Sequence, residues 1–260
     1  MHIKEVIGIL EEQSPVSYAL EWDNVGLLAG DSEKEINRIY IALDATDEAV
    51  DAAIAAQADL LLTHHPLIFK GMKKIVSDHF IGRRLMKLIA NDVAYYAMHT
   101  NFDVKGMADL SSAMLGLEDA KVLDVTAMED GKKEGIGRVG MLMKPMSLEY
   151  CAEFVKAAFS LNDVKVFGNR KQLLKKAAVS PGSGKSEIEN AIFHRADVLI
   201  TGDIDHHDGI DAVARGLCII DAGHYGLEHI FVRYMEEYLR KRCAGVTITA
   251  ERIAFPCFII

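Results

Sequence analysis

Residues 59–66 of the chain read Asp-Leu-Leu-Leu-Thr-His-His-Pro, a short apolar run that ends in two adjacent histidines and a proline. The run follows a helix-like segment, and this pattern predicts a buried strand. Pro66 predicts the end of the strand, because proline has no N–H to donate to a neighbour. His64 and His65 are therefore expected at the C-terminal end of a core strand, where α/β folds place their ligands. On these residues alone, a structural role for the histidines and a metal or catalytic role are equally open.

The segments around this run predict a β-α-β unit. A strand is expected over residues 38–43, followed by an alanine-rich helix that Thr46 caps at its N-terminus. Such a unit implies parallel strands joined by a right-handed crossover. Residues 195–203 then repeat the order found at 57–65, namely Ala-Asp, three apolar residues and Thr. Internal duplication and the chance similarity of two buried strands both account for the repeat.

The alternation of helices and strands predicts an α/β fold with two similar lobes and mixed, mostly parallel sheets. Residues 128–135 are polar and flanked by glycine, which predicts a boundary between the lobes. The first lobe is then expected over residues 1–127 and the second over residues 128–260. The only tryptophan, Trp22, is expected to pack in the core beneath a loop.

Composition narrows the class of protein. The chain has 260 residues, of which 50% are hydrophobic and 26% charged, as in soluble globular proteins. A net charge of −9 argues against general attraction to nucleic acid or to an acidic membrane surface. No apolar run reaches transmembrane length. The four cysteines are scattered without a C-x-x-C pair, which predicts a reduced, cytoplasmic chain. Two of them, Cys218 and Cys257, lie in apolar sequence and are expected to be structural.

Ligand-type side chains follow further predicted strands. His99 and Asp103 come after a strand predicted over residues 93–98. His224 and Glu228 stand four residues apart at the start of a long helix predicted over residues 224–240, so they share one helix face. A His and a Glu one turn apart form half of many metal sites, although alone they equally describe a surface pair.

Taken together, these imidazoles and carboxylates are ligands that suit Zn, Mn, Fe, Co or Ni. If strand geometry continued through His64 and His65, their side chains would point to opposite sides and would serve two ions, one each. A carboxylate such as Glu228 can bridge two ions. Two ions about 3.5–4 Å apart clamp the attacking and the leaving oxygen of a substrate. The residues therefore predict a dinuclear metal site.

Five motifs carry a resemblance to a known family: WDNVGLLAG, THHPLIF, HTNFD, TGDIDHHD and DAGHYGLE, between residues 22 and 228. They resemble the motifs of the GTP cyclohydrolase 1 type 2 family, also known as the NGG-interacting-factor-three-like or dinuclear metal centre hexameric proteins. The resemblance implies two α/β lobes with a two-metal site in a central cleft, and a ring-shaped homohexamer.

The resemblance also implies roles for particular residues. One metal would take His65, Asp103 and Glu228, and the other would take His64, His224 and Glu228. His99 and His207 fall inside motifs, and their implied roles are to orient ligands or to move protons in catalysis. The chain departs from the commoner family pattern at positions that are not ligands, and these departures bear on substrate preference: Phe102, His206, Gly226 and Leu227.

The expected function is metal-dependent hydrolysis of a nucleotide or another phosphate-bearing small molecule, and the family name implies GTP cyclohydrolase activity. The alternative is a non-catalytic metal-binding scaffold or regulatory ring that binds a macromolecular partner. Residues 182–186, Gly-Ser-Gly-Lys-Ser, resemble the end of a P-loop, but Val179 stands where the first glycine of that motif belongs. Phosphate contact and a plain glycine turn are both open for this stretch.

Overall fold

Helices and strands alternate along the chain, as the sequence predicts. The computed structural model describes residues 1–257. The α-helices of this range are α1 (Ile3–Gln13), α2 (Asp47–Ala55), α3 (Phe80–Ala90), α4 (Thr100–Phe102), α5 (Ala108–Met114), α6 (Leu148–Phe159), α7 (Glu187–Phe193), α8 (His206–Ala214), α9 (His224–Glu228) and α10 (Ile230–Arg242). A 3-10 turn covers Val16–Tyr18, and a π-helix covers Asp103–Met107.

The strands of residues 1–257 form two sheets. They are β1 (Gly26–Ala29), β2 (Arg38–Ala42), β3 (Leu60–Thr63), β4 (Ala94–Ala97), β5 (Glu118–Glu129), β6 (Lys132–Ser147), β7 (Lys165–Phe167), β8 (Leu173–Ser183), β9 (Val198–Gly202), β10 (Cys218–Asp221) and β11 (Thr247–Ala250). The chain divides into two compact units, one made of Met1–Phe102 with Phe231–Ile253, the other of Asp103–Ile230 with the segment that begins at Ala254. The expected class, a mixed α/β fold with two sheets, is confirmed.

The sheet of the first unit has the order β1-β4-β3-β2-β11, in which only β1 runs antiparallel to its neighbour. All four residues of β3 are buried, because parallel neighbours flank it on both sides. Thr63, the last residue of β3, pairs with Ala42 at the end of β2 and with Ala97 at the end of β4. The loops that follow these three strands therefore leave the sheet at the same edge.

Helix α2 connects β2 to β3 as the predicted crossover. Thr46 caps it, because the Thr46 side-chain oxygen accepts a hydrogen bond from the backbone N–H of Ala49 at 3.1 Å. Ala49, Val50 and Ala53 face the sheet and are buried in the same hydrophobic cluster as Leu61 and residues of α3. The apolar spacing of α2 thus determines which of its faces covers β3.

The sheet of the second unit has the order β5-β6-β8-β9-β10-β7. Strands β8, β9 and β10 are parallel, whereas β5, β6 and the edge strand β7 pair antiparallel with their neighbours. Thr201 near the end of β9 pairs with Asp221 at the end of β10, and Gly202 pairs with Ser183 at the end of β8. The loops after β8, β9 and β10 share one edge for this reason.

The repeated Ala-Asp segment has the same local structure in both units. Gln57 and Arg195, two residues before the aspartates, both have a left-handed backbone with φ of 55°. Asp59 then accepts hydrogen bonds from the backbone N–H groups of residues 37 and 38 at 2.7 and 3.0 Å. Asp197 does the same for the N–H groups of residues 175 and 176 at 2.7 and 2.9 Å. Each aspartate therefore holds the neighbouring parallel strand directly before the first residue that pairs with its own strand, and this shared role supports duplication over chance.

The structure differs from the sequence analysis in the middle of the chain. Residues 128–135 were expected to separate the lobes, but Asp130 and Gly131 form the turn of a hairpin between β5 and β6. The hairpin pairs Glu129 with Lys132 beside the turn and Glu118 with Met141 at its far end. The division that the contacts define falls instead after Phe102 and after Ile230. Strand β11 was not predicted. It pairs in parallel with β2, since the chain returns to the first unit over Phe231–Ile253.

Two further expectations about packing are wrong. Trp22 is 58% exposed rather than buried, and Cys257 is exposed. Cys218 is buried as expected, and burial raises the pKa of its thiol. None of the helices in residues 1–257 combines the length and the apolar character that a membrane crossing needs.

Candidate metal centre

The two adjacent histidines lie just beyond the end of β3. The backbone N–H groups of His64 and His65 both donate to the carbonyl oxygen of Leu43, at 3.2 and 3.0 Å. This shared acceptor shows that strand pairing has ended, so the side chains no longer alternate. The two imidazole rings lie side by side with centroids 4.8 Å apart. The expectation that the His64 and His65 rings point to opposite sides is therefore wrong.

A buried tyrosine holds the turn that carries the two histidines. The Tyr95 hydroxyl accepts a hydrogen bond from the backbone N–H of Leu67 at 2.7 Å. The same hydroxyl lies 2.7 Å from the Thr63 hydroxyl, and both lie within 3.0 Å of the carbonyl oxygen of His65. Tyr95 is fully buried on β4, and burial raises the pKa of its phenol. It therefore ties the turn to the neighbouring strand as a neutral hydroxyl.

Hydrogen bonds at Nδ1 determine the tautomers of both histidines. His64 Nδ1 lies 2.7 Å from the carbonyl oxygen of Met98, and His65 Nδ1 lies 2.8 Å from Asp44 Oδ1. A carbonyl or an ionised carboxylate only accepts, so each Nδ1 carries the hydrogen. The lone pair of each neutral ring then lies on Nε2, which is the state that binds a metal ion.

His99 is held in the same way. Its Nδ1 lies 2.8 Å from Asp23 Oδ1, while Asp23 Oδ2 accepts hydrogen bonds from the backbone N–H and the hydroxyl of Thr100 at 3.0 and 2.5 Å. Burial acts to raise the pKa of Asp23, but the hydrogen bonds from His99 and Thr100 outweigh it and lower the pKa to about 2. Asp23 is thus ionised at neutral pH and fixes the His99 ring.

These three histidines form one group. His64, His65 and His99 each offer a ring nitrogen, and these nitrogens all lie within 4.8 Å of one another. Three imidazoles at this spacing are borderline ligands of the kind that first-row divalent metals prefer. The resemblance implies that His99 orients a ligand or moves protons, and the structure places its ring 5.3 Å from that of His64 and 5.5 Å from that of His65.

In the second unit, His224 and Glu228 share the first turn of α9, as predicted. His224 Nε2 lies 3.0 Å from Glu228 Oε2, and His224 Nδ1 lies 2.7 Å from Asp203 Oδ2. The Glu228 carboxylate is buried, whereas the carboxylate of an ordinary pair on a helix surface would be exposed to water. The predicted helix over residues 224–240 is interrupted at His229, whose Nε2 bonds the carbonyl oxygen of Phe159 at 2.9 Å. Only the short helix α9 carries the two ligand-type side chains.

The glycine-rich stretch after β8 adjoins this pair. A Cβ placed on Gly182 would lie 2.5 Å from Glu228 Oε1 and 3.7 Å from His224 Nε2. Gly182 also has φ of +81°, which side chains rarely adopt. The absence of a side chain at residue 182 therefore leaves the space in which the carboxylate and the imidazole meet. This role for Gly182 is distinct from both roles considered for the P-loop-like stretch.

The other predicted residues have different settings. Asp103 is the first residue of the π-helix after α4, a rare backbone form that is frequent at functional sites. His207 is exposed in the first turn of α8. Among residues 1–257, no group of side chains able to share a metal ion includes His207. Its catalytic role stays a prediction.

The residues that orient the candidate histidines were not predicted from the sequence. Asp23, Asp44 and Asp203 each hold the Nδ1 of a histidine, and Gly182 makes room for Glu228. One signal was present, since Asp44 follows the end of β2 as His64 follows the end of β3. Metal-binding histidines usually donate their second N–H to a carboxylate or a carbonyl, so an aspartate at a neighbouring strand end is worth examining.

The fold and the donor set can now be compared with known proteins. Residues 1–256 match the family model Duf34/NIF3 (NGG1p interacting factor 3), and the chain belongs to this family. A protein of Clostridium perfringens named GTP cyclohydrolase 1 type 2 homolog is 35% identical over 244 residues, which cover 93% of this chain and 92% of the relative. A protein of the same name from Lactococcus lactis is 34% identical and covers 95% of both chains.

Solved structures agree with this assignment. The Bacillus cereus protein related to NIF3 matches with a TM-score of 0.92 and 27% identity, covering 100% of this chain and 99% of its own. Reduced HcgD from Methanocaldococcus jannaschii matches with a TM-score of 0.82 and 32% identity, covering 96% of this chain and 97% of its own. The resemblance inferred from the motifs is confirmed.

The anchoring of His65 leads to a prediction about metal affinity. We expect Asp44→Asn to weaken binding of a divalent ion by roughly 10–100-fold, because the amide no longer holds Nδ1–H with a full negative charge. Competition with a chromophoric chelator measures the affinity. The matched control is Asp51→Asn, which removes an exposed carboxylate that pairs with Lys87 at 2.5 Å. Equal affinities in both variants would contradict the anchoring role.

Gly182 gives a second prediction. We expect Gly182→Ala to weaken metal binding, because the new Cβ displaces the Glu228 carboxylate. The matched control is Gly131→Ala, since Gly131 has a similar φ of +78° but no heavy atom within 4 Å of an added Cβ. Both variants bear the strain of a left-handed alanine, of about 1 kcal/mol, which a denaturant melt measures. Metal affinity that falls equally in both variants would show that strain, rather than contact with Glu228, is responsible.

Proposed function

We propose that the chain binds two divalent metal ions and hydrolyses a nucleotide or another phosphate-bearing small molecule. The proposed ligands are His64, His65, Asp103, His224 and Glu228. The observation that carries the proposal is the anchoring of His64 and His65 at Nδ1, which leaves Nε2 of each neutral ring in the state that binds metals. Zn, Mn, Fe, Co and Ni all fit this donor set.

The residues of each unit support the fit separately. In the first unit, ring nitrogens of the two proposed ligands His64 and His65 lie within 4.8 Å of each other, and His99 offers a further ring nitrogen within the same distance of both. In the second unit, Gly182 keeps open the space in front of Glu228 and His224. Glu228 offers a buried carboxylate whose Oε2 lies 3.0 Å from His224 Nε2, so one carboxylate and one imidazole face the same space.

A divalent ion bound by such ligands polarises a scissile group and lowers the pKa of a water molecule. The chain itself provides the proton carrier that hydrolysis requires. His99 is suited to this task, because Asp23 is ionised, holds Nδ1–H and stabilises the positive ring that forms when Nε2 takes up a proton. We propose His207 as a second proton carrier, and its position in the motif TGDIDHHD is the support for this role.

The substrate proposal draws on the relatives. Proteins at 34–35% identity are named GTP cyclohydrolase 1 type 2 homolog. We extend this to the present chain as a proposal that a guanine nucleotide is among its substrates. The scattered free cysteines support a reducing, cytoplasmic location.

Removal of Glu228 tests the proposal. We expect wild-type protein to retain about two divalent ions per chain and to turn over members of a panel of nucleotides and phosphate esters. Glu228→Gln is expected to lose bound metal. Its turnover is expected to fall by more than the roughly 10–100-fold that follows when a residue supporting a ligand is changed. The matched control is Glu237→Gln, because Glu237 also pairs with a residue four positions away on a helix but is exposed. Metal content by elemental analysis and initial rates are the readouts.

The outcomes separate the candidate functions. Wild-type protein that binds no divalent ion would refute the metal site. Protein that binds metal but turns over no member of the panel would refute the hydrolase and favour the non-catalytic scaffold or regulatory ring.

The ring-shaped homohexamer is likewise a proposal, supported by the resemblance of the motifs. We expect light scattering coupled to gel filtration to give six times the chain mass of 28.7 kDa. A mass equal to one or two chains at micromolar concentration would contradict it.

A further inference from the structure

Two exposed aromatic side chains of the first unit touch each other. Trp22 is 58% exposed and Phe69 is 42% exposed, and their ring centroids lie 5.6 Å apart with a 45° angle between the planes. Burying an aromatic side chain stabilises a folded protein. The unit forgoes much of this gain at two touching residues, which is typical of a surface that meets a ligand or partner.

The loops that carry the two rings are held in place. The backbone N–H of Asp23 donates to the carbonyl oxygen of Leu20 at 2.9 Å, so Trp22 lies inside a tight turn. Asn24 then donates its side-chain N–H to the carbonyl oxygen of Ile68 at 2.5 Å, which ties this turn to the residue before Phe69. The aromatic pair is thus preorganised by hydrogen bonds, which lowers the entropy lost when a ligand is bound.

The pair adjoins the histidine group. The His99 ring lies 6.0 Å from Trp22 and 6.1 Å from Phe69, and both contacts are edge-on. The same ring lies 5.3 Å from His64 and 5.5 Å from His65. A molecule that reaches the histidine group with its reacting end can therefore contact the aromatic pair with another part.

The charge beside the pair favours an anionic ligand. Exposed lysines follow Phe69 in the same loop, at positions 70, 73 and 74. A planar ring that carries phosphate would meet both features, since aromatic faces accept any nucleobase by stacking and lysines attract phosphate.

We propose that Trp22 and Phe69 form a stacking platform for the base of a mononucleotide whose reacting end lies at the histidine group. This inference rests on the proposed function and specifies its substrate class. The two residues determine specificity by selecting for a planar heteroaromatic base, and stacking alone does not distinguish one base from another.

The chain offers a direct probe, because Trp22 is its only tryptophan. We expect guanosine and adenosine monophosphates to quench the intrinsic fluorescence of the full-length protein, with and without added Mn²⁺. Ribose 5-phosphate, which has the sugar and phosphate but no base, is expected to leave the fluorescence unchanged and to bind more weakly by calorimetry.

Variants locate the effect. By calorimetry, Trp22→Ala and Phe69→Ala are each expected to bind guanosine monophosphate roughly tenfold more weakly than wild type. Trp22→Phe is expected to keep most of the affinity because it keeps a stacking face. The matched control is Phe193→Ala, which removes an aromatic side chain that is 81% exposed on the second unit. All substituted side chains are exposed to between 42% and 81%, and circular dichroism melts test whether each variant is folded.

Three results would overturn the proposal. They are equal binding of guanosine monophosphate and ribose 5-phosphate, wild-type affinity in both alanine variants, and a shift of Trp22 emission on diluting the protein alone, which would show that a second copy covers the pair. Failure of the proposed function is separate. Protein that stacks bases but binds no metal refutes the hydrolase and leaves the platform, whereas protein that hydrolyses phosphate esters without preference for a base refutes only the platform.

Discussion

The candidate histidines of each unit depend on one constraint, which is that an acceptor holds the Nδ1 of each ring. A free imidazole divides its hydrogen between two nitrogens and rotates about two bonds. An acceptor at Nδ1 removes both freedoms and leaves the lone pair on Nε2. The chain applies the same device in both units, with a backbone carbonyl at one histidine and carboxylates at the others: Met98, Asp44, Asp23 and Asp203.

Sheet register makes this constraint possible. Parallel strands that end in register send their loops to one edge, and Ala42, Thr63 and Ala97 are paired across the first sheet. Asp44, the His64 and His65 turn, and His99 follow these strand ends, so residues far apart in sequence meet without further adjustment. Parallel register at β8, β9 and β10 does the same in the second unit. The backbones there lie so close together that a Cβ on Gly202 would be 2.5 Å from the backbone nitrogen of His224.

The matched Ala-Asp segments extend this comparison. In each unit an aspartate accepts hydrogen bonds from two consecutive backbone N–H groups beside the neighbouring parallel strand, and the residue two positions earlier is left-handed. Two units built on the same local device each present ligand-type side chains at the C-terminal edge of parallel strands, as α/β folds commonly do. Their peripheries differ, since β5 and β6 form a long hairpin that has no counterpart in the first sheet among residues 1–257.

Local pattern determined much of this protein. Apolar runs, caps and Pro66 predict α2, β3 and the strand-end position of His64 and His65, because these features depend on nearby residues. The i, i+4 spacing of His224 and Glu228 likewise follows from helix geometry alone. Tertiary structure decided what depends on distant residues. It set the convergence of the His64 and His65 rings, the partners at Nδ1 and the contact of Gly182 with Glu228. It also left Trp22 in water, since the exposure of a side chain depends on which residues cover it, and local periodicity does not contain that information.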